Sequence, residues 1–279
     1  MSTVFKWDEG DIENLLASCE TDGLLPYINK YFPKKTKILE SGCGLGRYVR
    51  YMQDGGWDMT GLEIDAGAVK VVKKYWPDLK IIEGDAANSP FKNNTFDGII
   101  SLGVIEHWTE GPMPPLDEMY RTLKPGGIAL ITAPCLNTVR KIKHRLWWGE
   151  RSQKEAWKSW RTHGEPLPNR LKKDYEFYTF PAYGEFFEYR FTKKEFRNAV
   201  EKSGLDVIEH RPSAVIDGIY HELNPGQKLV KFKSWEFKPS HVGKAVNKTL
   251  SVAPFFHPHM QIIIARKSDK ARQKSAKTK

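Results

Sequence analysis

The 279-residue chain is predicted to be an α/β protein, with a parallel sheet covered by helices on both faces. Two observations support this fold class. Short apolar runs alternate with amphipathic segments between residues 37 and 134. These runs are continuously apolar, which is typical of strands buried on both sides of a sheet.

The first half of the chain supplies five predicted strands. Apolar spacing over residues 11–31 predicts one helix, or two helices broken near Gly23. Strands follow at "KILES", "WDMTGLEID" and "LKIIEGD", separated by helices at "GRYVRYMQDGG" and "AGAVKVVKKYW". The fourth and fifth strands are "TFDGIISLG" and "IALITAP", with a helix and a Pro-Gly-Gly turn at "PLDEMYRTLKPGG" between them.

Regular order is interrupted twice after Pro134. A helix begins after Thr192, a predicted N-cap with Glu195 completing a capping box, and ends before Gly204. Strands six and seven are residues 205–211 and "MQIIIAR". Insertions at about 135–190 and 212–258 follow strands five and six. Ligands bind beyond the carboxyl ends of parallel strands, so we expect a lid or substrate wall, with peripheral decoration as the alternative.

The chain is expected to be one domain over residues 1–267, followed by a disordered basic tail at 268–279. The net charge is +10. The sequence contains no apolar run long enough to cross a membrane and no signal segment, so a cytoplasmic location is expected. Three widely spaced cysteines without a CxxC pair argue against disulfides and structural zinc.

A glycine-rich turn follows the first strand. In "ILESGCGLGRYVRYM", Gly42, Gly44 and Gly46 separate a strand from a helix, where glycine lets a ligand approach the backbone closely. A dinucleotide fingerprint would have its last glycine at position 47, which is Arg47 here, and no GK[ST] of a phosphate-binding loop follows. The turn alone indicates only a nucleotide-like ligand.

Acidic residues at the ends of later strands narrow the class of ligand that the site is expected to bind. Glu63 ends the second strand, 21 residues beyond Gly42, where a carboxylate accepts hydrogen bonds from a ribose diol. The alternative is a surface glutamate at a strand end. Asp85 and Ala86 close the third strand and could bond the exocyclic amine and ring of adenine.

Five stretches together resemble the ordered motifs of class I S-adenosylmethionine-dependent methyltransferases of the small-molecule type. They are "LESGCGLGRYV", "GLEID", "GDAANSPF", "FDGIISLGVIEHW" and "LKPGGIALITAP". The resemblance covers about residues 36–134, and residues 192–211 and 260–266 are in keeping with it. It implies a Rossmann-like, doubly wound seven-stranded sheet whose last strand is antiparallel and inserted between the fifth and sixth.

The resemblance also implies S-adenosylmethionine as cofactor and S-adenosylhomocysteine as product. It implies that Glu40, Gly42 and Gly44 lie near the methionine part, Glu63 at the ribose, Asp85 and Ala86 at the adenine, and Leu102 near the cofactor. The neighbouring Cys43, Arg47, Ile64 and Gly103 complete the predicted cofactor contacts. An acidic pocket without a basic clamp before Arg47 suits a phosphate-free sulfonium cation.

Glu106 and His107 follow the fourth strand and allow three interpretations. Some relatives carry ExxEH here and bind a divalent metal, but Gly103 replaces the first glutamate, so we expect no metal. His107 could act as a general base toward a hydroxyl or amine. Alternatively, the two residues form a structural pair that shapes the cleft.

The insertions are expected to select the methyl acceptor. Residues 140–190 contain twelve Lys or Arg and seven Asp or Glu, interleaved with Trp147, Trp148, Trp157 and Trp160. Such a surface suits a sugar ring, a lipid-phosphate carrier or stacked bases. Alternatively, these tryptophans pack one helix onto the sheet.

The leading functional hypothesis is in-line O-methylation of a small-molecule, glycan or lipid-linked acceptor. An RNA methyltransferase is the runner-up because the pI is about 9.3, although no RNA-binding module and no NPPY-like motif are present. A third hypothesis is a non-catalytic protein that binds the cofactor, and the last is an NAD-dependent oxidoreductase.

Overall fold

The computed structural model describes residues 12–108, 110–146, 175–179, 186–223, 227–233 and 236–268. The helices of these residues are α1 (Ile12–Ser18), α2 (Leu25–Tyr31), α3 (Arg47–Asp54), α4 (Ala66–Tyr75), α5 (Met113–Thr122), α6 (Thr138–Leu146), α7 (Lys193–Lys202), α8 (Val215–Leu223) and α9 (His241–Leu250). A 3₁₀ turn covers Ile105–His107.

The strands form one large sheet and two hairpins within the described residues. They are β1 (Lys37–Ser41), β2 (Asp58–Glu63), β3 (Ile81–Glu83), β4 (Phe96–Leu102), β5 (Leu123–Pro134), β6 (Tyr175–Thr179), β7 (Phe186–Phe191), β8 (Leu205–Ser213), β9 (Val230–Lys233), β10 (Glu236–Pro239) and β11 (Met260–Lys267). The sheet order is β3-β2-β1-β4-β5-β11-β8. Strand β11 runs antiparallel to both β5 and β8, which confirms the predicted seven-stranded Rossmann-like sheet.

Alternating side chains of the strands fill one apolar core on each face of the sheet. On one face, Ile38 and Ile100 pack with residues of α1 to α4. On the other, Leu39 and Ile99 pack with residues of α5, α7 and β7. Two buried faces explain why the central strands are continuously apolar in sequence. The cores hold the sheet rigid and leave its carboxyl edge to carry the functional groups.

Several local predictions are confirmed. The predicted break near Gly23 separates α1 from α2, and Gly23 has a φ of 79°. Thr192 caps α7 in a capping box with Glu195. The predicted Pro-Gly-Gly turn differs, because β5 begins at Leu123 and the pairing of β4 with β5 shifts register between Phe96 and Gly98. The irregularity is absorbed within the strand.

The second insertion contains regular structure that the sequence analysis missed. Helix α8 contacts the β9–β10 hairpin and α9. It packs closely on the segment before β11, since a Cβ built on Gly218 would lie 1.9 Å from the carbonyl oxygen of His257. Only glycine permits that approach, and it holds α8 at the carboxyl end of β5, where Cys135 N–H donates to His259 O (2.8 Å).

Parts of the predicted insertions lie outside the described residues. These include residues 147–174 and 180–185, among them all four tryptophans of the first insertion, and residues 224–226 and 234–235 of the second. The predicted disordered tail lies outside them from residue 269 onward. The single-domain boundaries and the lid role of the insertions therefore stay predictions.

Candidate functional site

The glycine turn after β1 folds back onto the end of β2. The N–H groups of Gly42 and Cys43 both donate to Leu62 O, at 2.8 and 3.0 Å. Gly42 has a φ of 75°, and a Cβ built on it would lie 2.6 Å from Val104 Cγ2. Positive φ and the close side chain of Val104 together require glycine here. Because no Cβ is present, the backbone of the turn lies close to the start of the 3₁₀ turn after β4.

Glu63 crosses the top of this turn. Its carboxylate accepts the N–H of Gly44 (2.7 Å) and the N–H of Asp65 (3.0 Å), and the residue is buried. A carboxylate has about four acceptor positions, so these two bonds orient it while leaving capacity for a ligand diol. The described geometry thus brings the predicted ribose-binding residue within hydrogen-bond distance of the predicted methionine-binding turn.

Glu40 lies beneath the turn and is 3% exposed. Its Oε2 has no hydrogen-bond partner among the described residues. Burial raises the pKa of this carboxyl to about 8, against the opposing effect of the nearby Arg47 guanidinium. A bound cation would stabilise the charged form of a buried carboxyl that has one unpartnered oxygen.

Arg47 faces away from the turn, toward α1. Its Nη1 donates to Ser18 Oγ (2.6 Å), and its Nη2 lies 3.0 Å from Asp22 Oδ2. Asp22 also accepts the hydroxyl of Tyr48 (2.6 Å). The guanidinium therefore ties α3 to the end of α1. Contact between Arg47 and the cofactor stays a prediction.

The predicted adenine-binding residues form a small apolar pocket wall. Ala86 packs in a buried cluster with Val104 and Trp108. Asp85 Oδ1 accepts the N–H of Ala87 (2.7 Å), which is the geometry of an Asx turn. This bond directs the loop after β3 toward the loop after β4. Val104 and Trp108 were not predicted as site residues, because neither their spacing nor their chemistry distinguishes them from core residues.

One further predicted cofactor contact, Ile64, lies at the same edge, and another, Cys43, lies beneath it. Ile64, directly after β2, is 38% exposed, as is Ile82 of β3, which the sequence analysis did not select. Exposed isoleucines at neighbouring strand ends offer an apolar surface to a flat ring. Cys43 is buried, and burial raises the pKa of its thiol well above the ordinary value. Its sulfur would lie 2.7 Å from a Cβ on Gly61, which indicates a packing role.

The end of β4 brings Leu102, Gly103, Glu106 and His107 together. Gly103 N–H donates to Thr132 Oγ1 (3.0 Å) of β5. Glu106 and His107 are both buried, with His107 Nε2 3.9 Å from Glu106 Oε1. Burial, with a contribution from Glu188, raises the pKa of Glu106 well above its ordinary value. A protonated Glu106 places no negative charge beside the imidazole of His107.

No group of three or more His, Cys, Asp or Glu side chains with metal-binding geometry occurs in the part of the chain that the structure describes. The expectation that the site holds no metal stays a prediction, as does the role of His107 as a base.

A buried polar network borders the site beyond β5, and the sequence analysis missed it. Arg140 of α6 is 3% exposed and donates to Glu222 Oε1 (2.5 Å) and Cys135 O (2.6 Å). Its Nη2 is 2.8 Å from His259 Nδ1, and the rings of His259 and His221 stack 4.3 Å apart. Burial and the nearby Arg140 lower the pKa values of both imidazoles. The network joins α6 and α8 into a wall at the carboxyl end of β5.

Comparison with known proteins identifies the domain that this geometry belongs to. Residues 39–131 match a family described as a methyltransferase domain. The chain contains a class I S-adenosylmethionine-dependent methyltransferase domain. The matched range includes the glycine turn, Glu63, Asp85 and the Glu106–His107 pair. The predicted family, and S-adenosylmethionine as the cofactor of such a domain, are confirmed.

Curated relatives match this methyltransferase domain over part of their length. A demethylmenaquinone methyltransferase of Paenarthrobacter aurescens is 38% identical over 99 residues, which are 34% of this chain and 37% of that protein. A probable S-adenosylmethionine-dependent methyltransferase of Mycolicibacterium smegmatis is 32% identical over 98 residues, or 35% and 37% of the two chains. The match thus spans less than half the length of these relatives.

Solved structures resemble a larger part of the chain. An S-adenosylmethionine-dependent methyltransferase of Methanosarcina mazei has a TM-score of 0.57 at 17% identity, covering 88% of this chain and 98% of the other. The [4+2]-cyclase SpnF has a TM-score of 0.53 at 16% identity, covering 89% and 81%. At these identities the likeness shows the fold alone, and the fold also occurs in a protein named as a cyclase.

No helix among the described residues is both long enough and apolar enough to span a membrane.

Proposed function

We propose that this protein transfers the methyl group of S-adenosylmethionine to a hydroxyl oxygen of a small or lipid-linked acceptor. The observation that carries the proposal is the pairing of Glu63 with the glycine turn. The buried carboxylate of Glu63 is held in one orientation by the N–H of Gly44. It therefore lies beside a glycine turn whose backbone a ligand can approach closely, and both are at the carboxyl edge of the sheet. That combination suits a nucleoside without phosphates.

The residues at the carboxyl edge fit the cofactor in three respects. Glu40 supplies a buried carboxyl whose Oε2 has no hydrogen-bond partner among the described residues, which suits a cationic ligand. Glu63 retains free acceptor positions for a ribose diol. Ala86, Val104 and Trp108 supply a compact apolar wall for an aromatic ring. No Lys or Arg side chain is needed to balance phosphate charge, and the nearby Arg47 is engaged with α1.

S-adenosylmethionine, when bound, supplies a methyl carbon that is already electrophilic because it is attached to a sulfonium. The protein therefore acts mainly by positioning and by excluding water. Glu40 and Glu63 orient the donor side from β1 and β2. The Glu106–His107 pair and the Arg140 wall approach from β4 and β5. An acceptor held between these two sides would face the donor in line.

We assign His107 the role of taking the proton that the acceptor hydroxyl loses. The imidazole is buried one residue from Glu106, at the end of the strand next to β5. A neutral Glu106 places no negative charge beside this imidazole, and histidine is the side chain that most often serves as a general base. General-base assistance of this kind contributes about 10²–10⁴-fold to a rate.

Two of the names cited here refer to a small or lipidic acceptor, and one refers to a malonyl group on an acyl-carrier protein. They include a demethylmenaquinone methyltransferase, a malonyl-[acyl-carrier protein] O-methyltransferase of Pectobacterium atrosepticum, and a phthiotriol/phenolphthiotriol dimycocerosates methyltransferase of Mycobacterium leprae. None of these names refers to RNA. For this chain, we propose that the acceptor lies against α6 and α8 rather than in a groove for a polynucleotide.

A labelling experiment tests the proposal. The purified protein is incubated with methyl-labelled S-adenosylmethionine and a cell extract, which is then separated into lipid, small-molecule, protein and nucleic-acid fractions. We expect label in the lipid or small-molecule fraction. Glu63→Gln should abolish the transfer, whereas Asp58→Asn, a charge removal at the opposite end of β2, should not. Label only in RNA or protein, or no label at all, would contradict the proposal.

A further inference from the structure

The second insertion is strongly basic. Residues 227–254 contain six lysines and a single acidic residue, Glu236. We call the exposed side of β9, β10 and α9 the insertion surface. All six lysines are exposed. This concentration of positive charge lies outside the cofactor site and its acidic groups, so the chemistry of the cofactor site does not account for it.

The β9–β10 hairpin separates its charged and aromatic side chains onto two faces. Pairing puts Lys231 opposite Lys238 and Lys233 opposite Glu236. Phe232 and Phe237 lie on the other face, where their rings are 4.7 Å apart and both contact Tyr220 of α8. The aromatic face thus anchors the hairpin to α8, and the lysine face points to solvent.

Helix α9 and the residues just after it expose two valines beside lysines. Val242 is 62% exposed and Val252, just after the helix, is 87% exposed. Within the helix, Val242 and Ala245 are three positions apart on one side, and the exposed Lys244 and Lys248 are four positions apart on another. The buried side of the helix is fixed by Gly243, which packs on Leu229 O. The exposed side of α9 is therefore amphipathic in its own right.

Other exposed apolar groups lie in the same region. Of eight large hydrophobic side chains that are exposed in the described residues, four belong to the insertions: Ile142, Phe232, Val242 and Val252. Ile142 belongs to α6, whose first turn donates its N–H groups at Thr138 and Val139 to the carbonyls of Phe255 and Phe256. The loop after α9 is thereby joined to α6.

We propose that the insertion surface docks on an anionic lipid bilayer. Its lysines complement anionic head groups, and Val242 and Val252 are placed to enter the interface. The two most exposed apolar side chains, Val242 and Val252, are aliphatic and offer no π face for base stacking, whereas Phe232 and Phe237 lie on the hairpin face that contacts Tyr220. The observations therefore favour a bilayer over RNA. This goes beyond the proposed methyl transfer and can fail independently of it. Docking by this surface would bring the Arg140 wall, next to α8, toward lipid-borne acceptors.

Vesicle sedimentation with the full chain tests the proposal. The probes are vesicles of phosphatidylcholine alone and of phosphatidylcholine mixed with phosphatidylglycerol. Binding should occur only to the anionic vesicles and should weaken at high salt. A lysine near such a surface contributes about a factor of five, so Lys244→Gln with Lys248→Gln should lower the partition coefficient roughly 20–30-fold.

Two further variants locate the surface. Val242→Ser with Val252→Ser should lower binding several-fold without changing net charge. Lys70→Gln with Lys73→Gln, exposed lysines of α4, removes the same charge elsewhere and should leave binding within about two-fold of the wild type. Thermal unfolding checks that each variant is folded.

Equal binding to both vesicle types, absence of binding, or equal losses in the α4 and α9 variants would overturn the proposal. So would retention on RNA without vesicle binding, which would instead favour a nucleic-acid partner.

Discussion

Replacing Glu40 by Gln should make the protein more stable at alkaline pH while weakening its cofactor site. Burial raises the pKa of Glu40 from 4.5 to about 8 in the folded chain. Between these values the folded chain keeps a proton that the unfolded chain releases, so the free energy of unfolding falls as pH rises. The difference between the two pKa values corresponds to as much as about 5 kcal/mol of lost stability above pH 8. Gln has nearly the same shape and cannot ionise, so it removes this loss.

Urea unfolding of the wild type and Glu40→Gln at about pH 5 and about pH 8 measures the effect. The two proteins should have similar stability near pH 5, and the variant should be several kcal/mol more stable near pH 8. Glu83→Gln, at the exposed end of β3, is the matched control and should keep the pH dependence of the wild type. In the same variants, affinity for S-adenosylmethionine should fall only for Glu40→Gln, because the cation loses its buried carboxylate.

Identical pH slopes for the wild type and Glu40→Gln would refute the reasoning. So would a variant that is less stable than the wild type near pH 8, since that would mean that Glu40 is charged and paired in the folded protein.

Three other substitutions test particular contacts. Gly42→Ala should lower the free energy of unfolding by about 2 kcal/mol or more, because the residue has positive φ and a Cβ here would collide with Val104. Urea unfolding measures this loss. Val104→Ala in the same chain should recover part of it. Arg140→Met should lower the free energy of unfolding by about 3–5 kcal/mol, because Glu222 would stay buried without the Arg140 guanidinium. Adding Glu222→Leu to the same chain should restore most of that stability in the same assay. Glu106→Gln should leave the melting temperature near that of the wild type, because the buried carboxyl is already neutral, and a fall corresponding to several kcal/mol would show that Glu106 is ionised.

Much of the donor side of the site could be predicted from sequence because it depends on local signals. Alternating apolar runs predicted where the strands lie along the chain, and parallel sheets bind their ligands at the carboxyl ends of the strands. The roles of a glycine at a turn and of a carboxylate at a strand end can be predicted without knowledge of contacts to distant residues. The bond between Glu63 and Gly44 N–H joins two such local features.

The proposed acceptor side depends on contacts between residues far apart in sequence. Arg140 meets Glu222 across 82 positions and His259 across 119. The approach of Gly218 to His257 O has no signature in periodicity. The hairpins were missed because their short runs, such as residues 230–233, alternate too briefly to be distinguished from loops. In sequence, Val104 cannot be distinguished from a core valine, because only the structure shows its contact with the turn at Gly42.

Calorimetric titration with S-adenosylmethionine tests the central claim most directly, that the carboxyl edge around Gly42 and Glu63 is a cofactor site. We predict saturable binding of one cofactor per chain. Glu63→Gln should weaken it roughly 10–100-fold through loss of charge-assisted hydrogen bonds, and Asp58→Asn at the other end of β2 should leave it unchanged. No binding by the wild type, or equal affinity in the Glu63→Gln variant, would contradict the account.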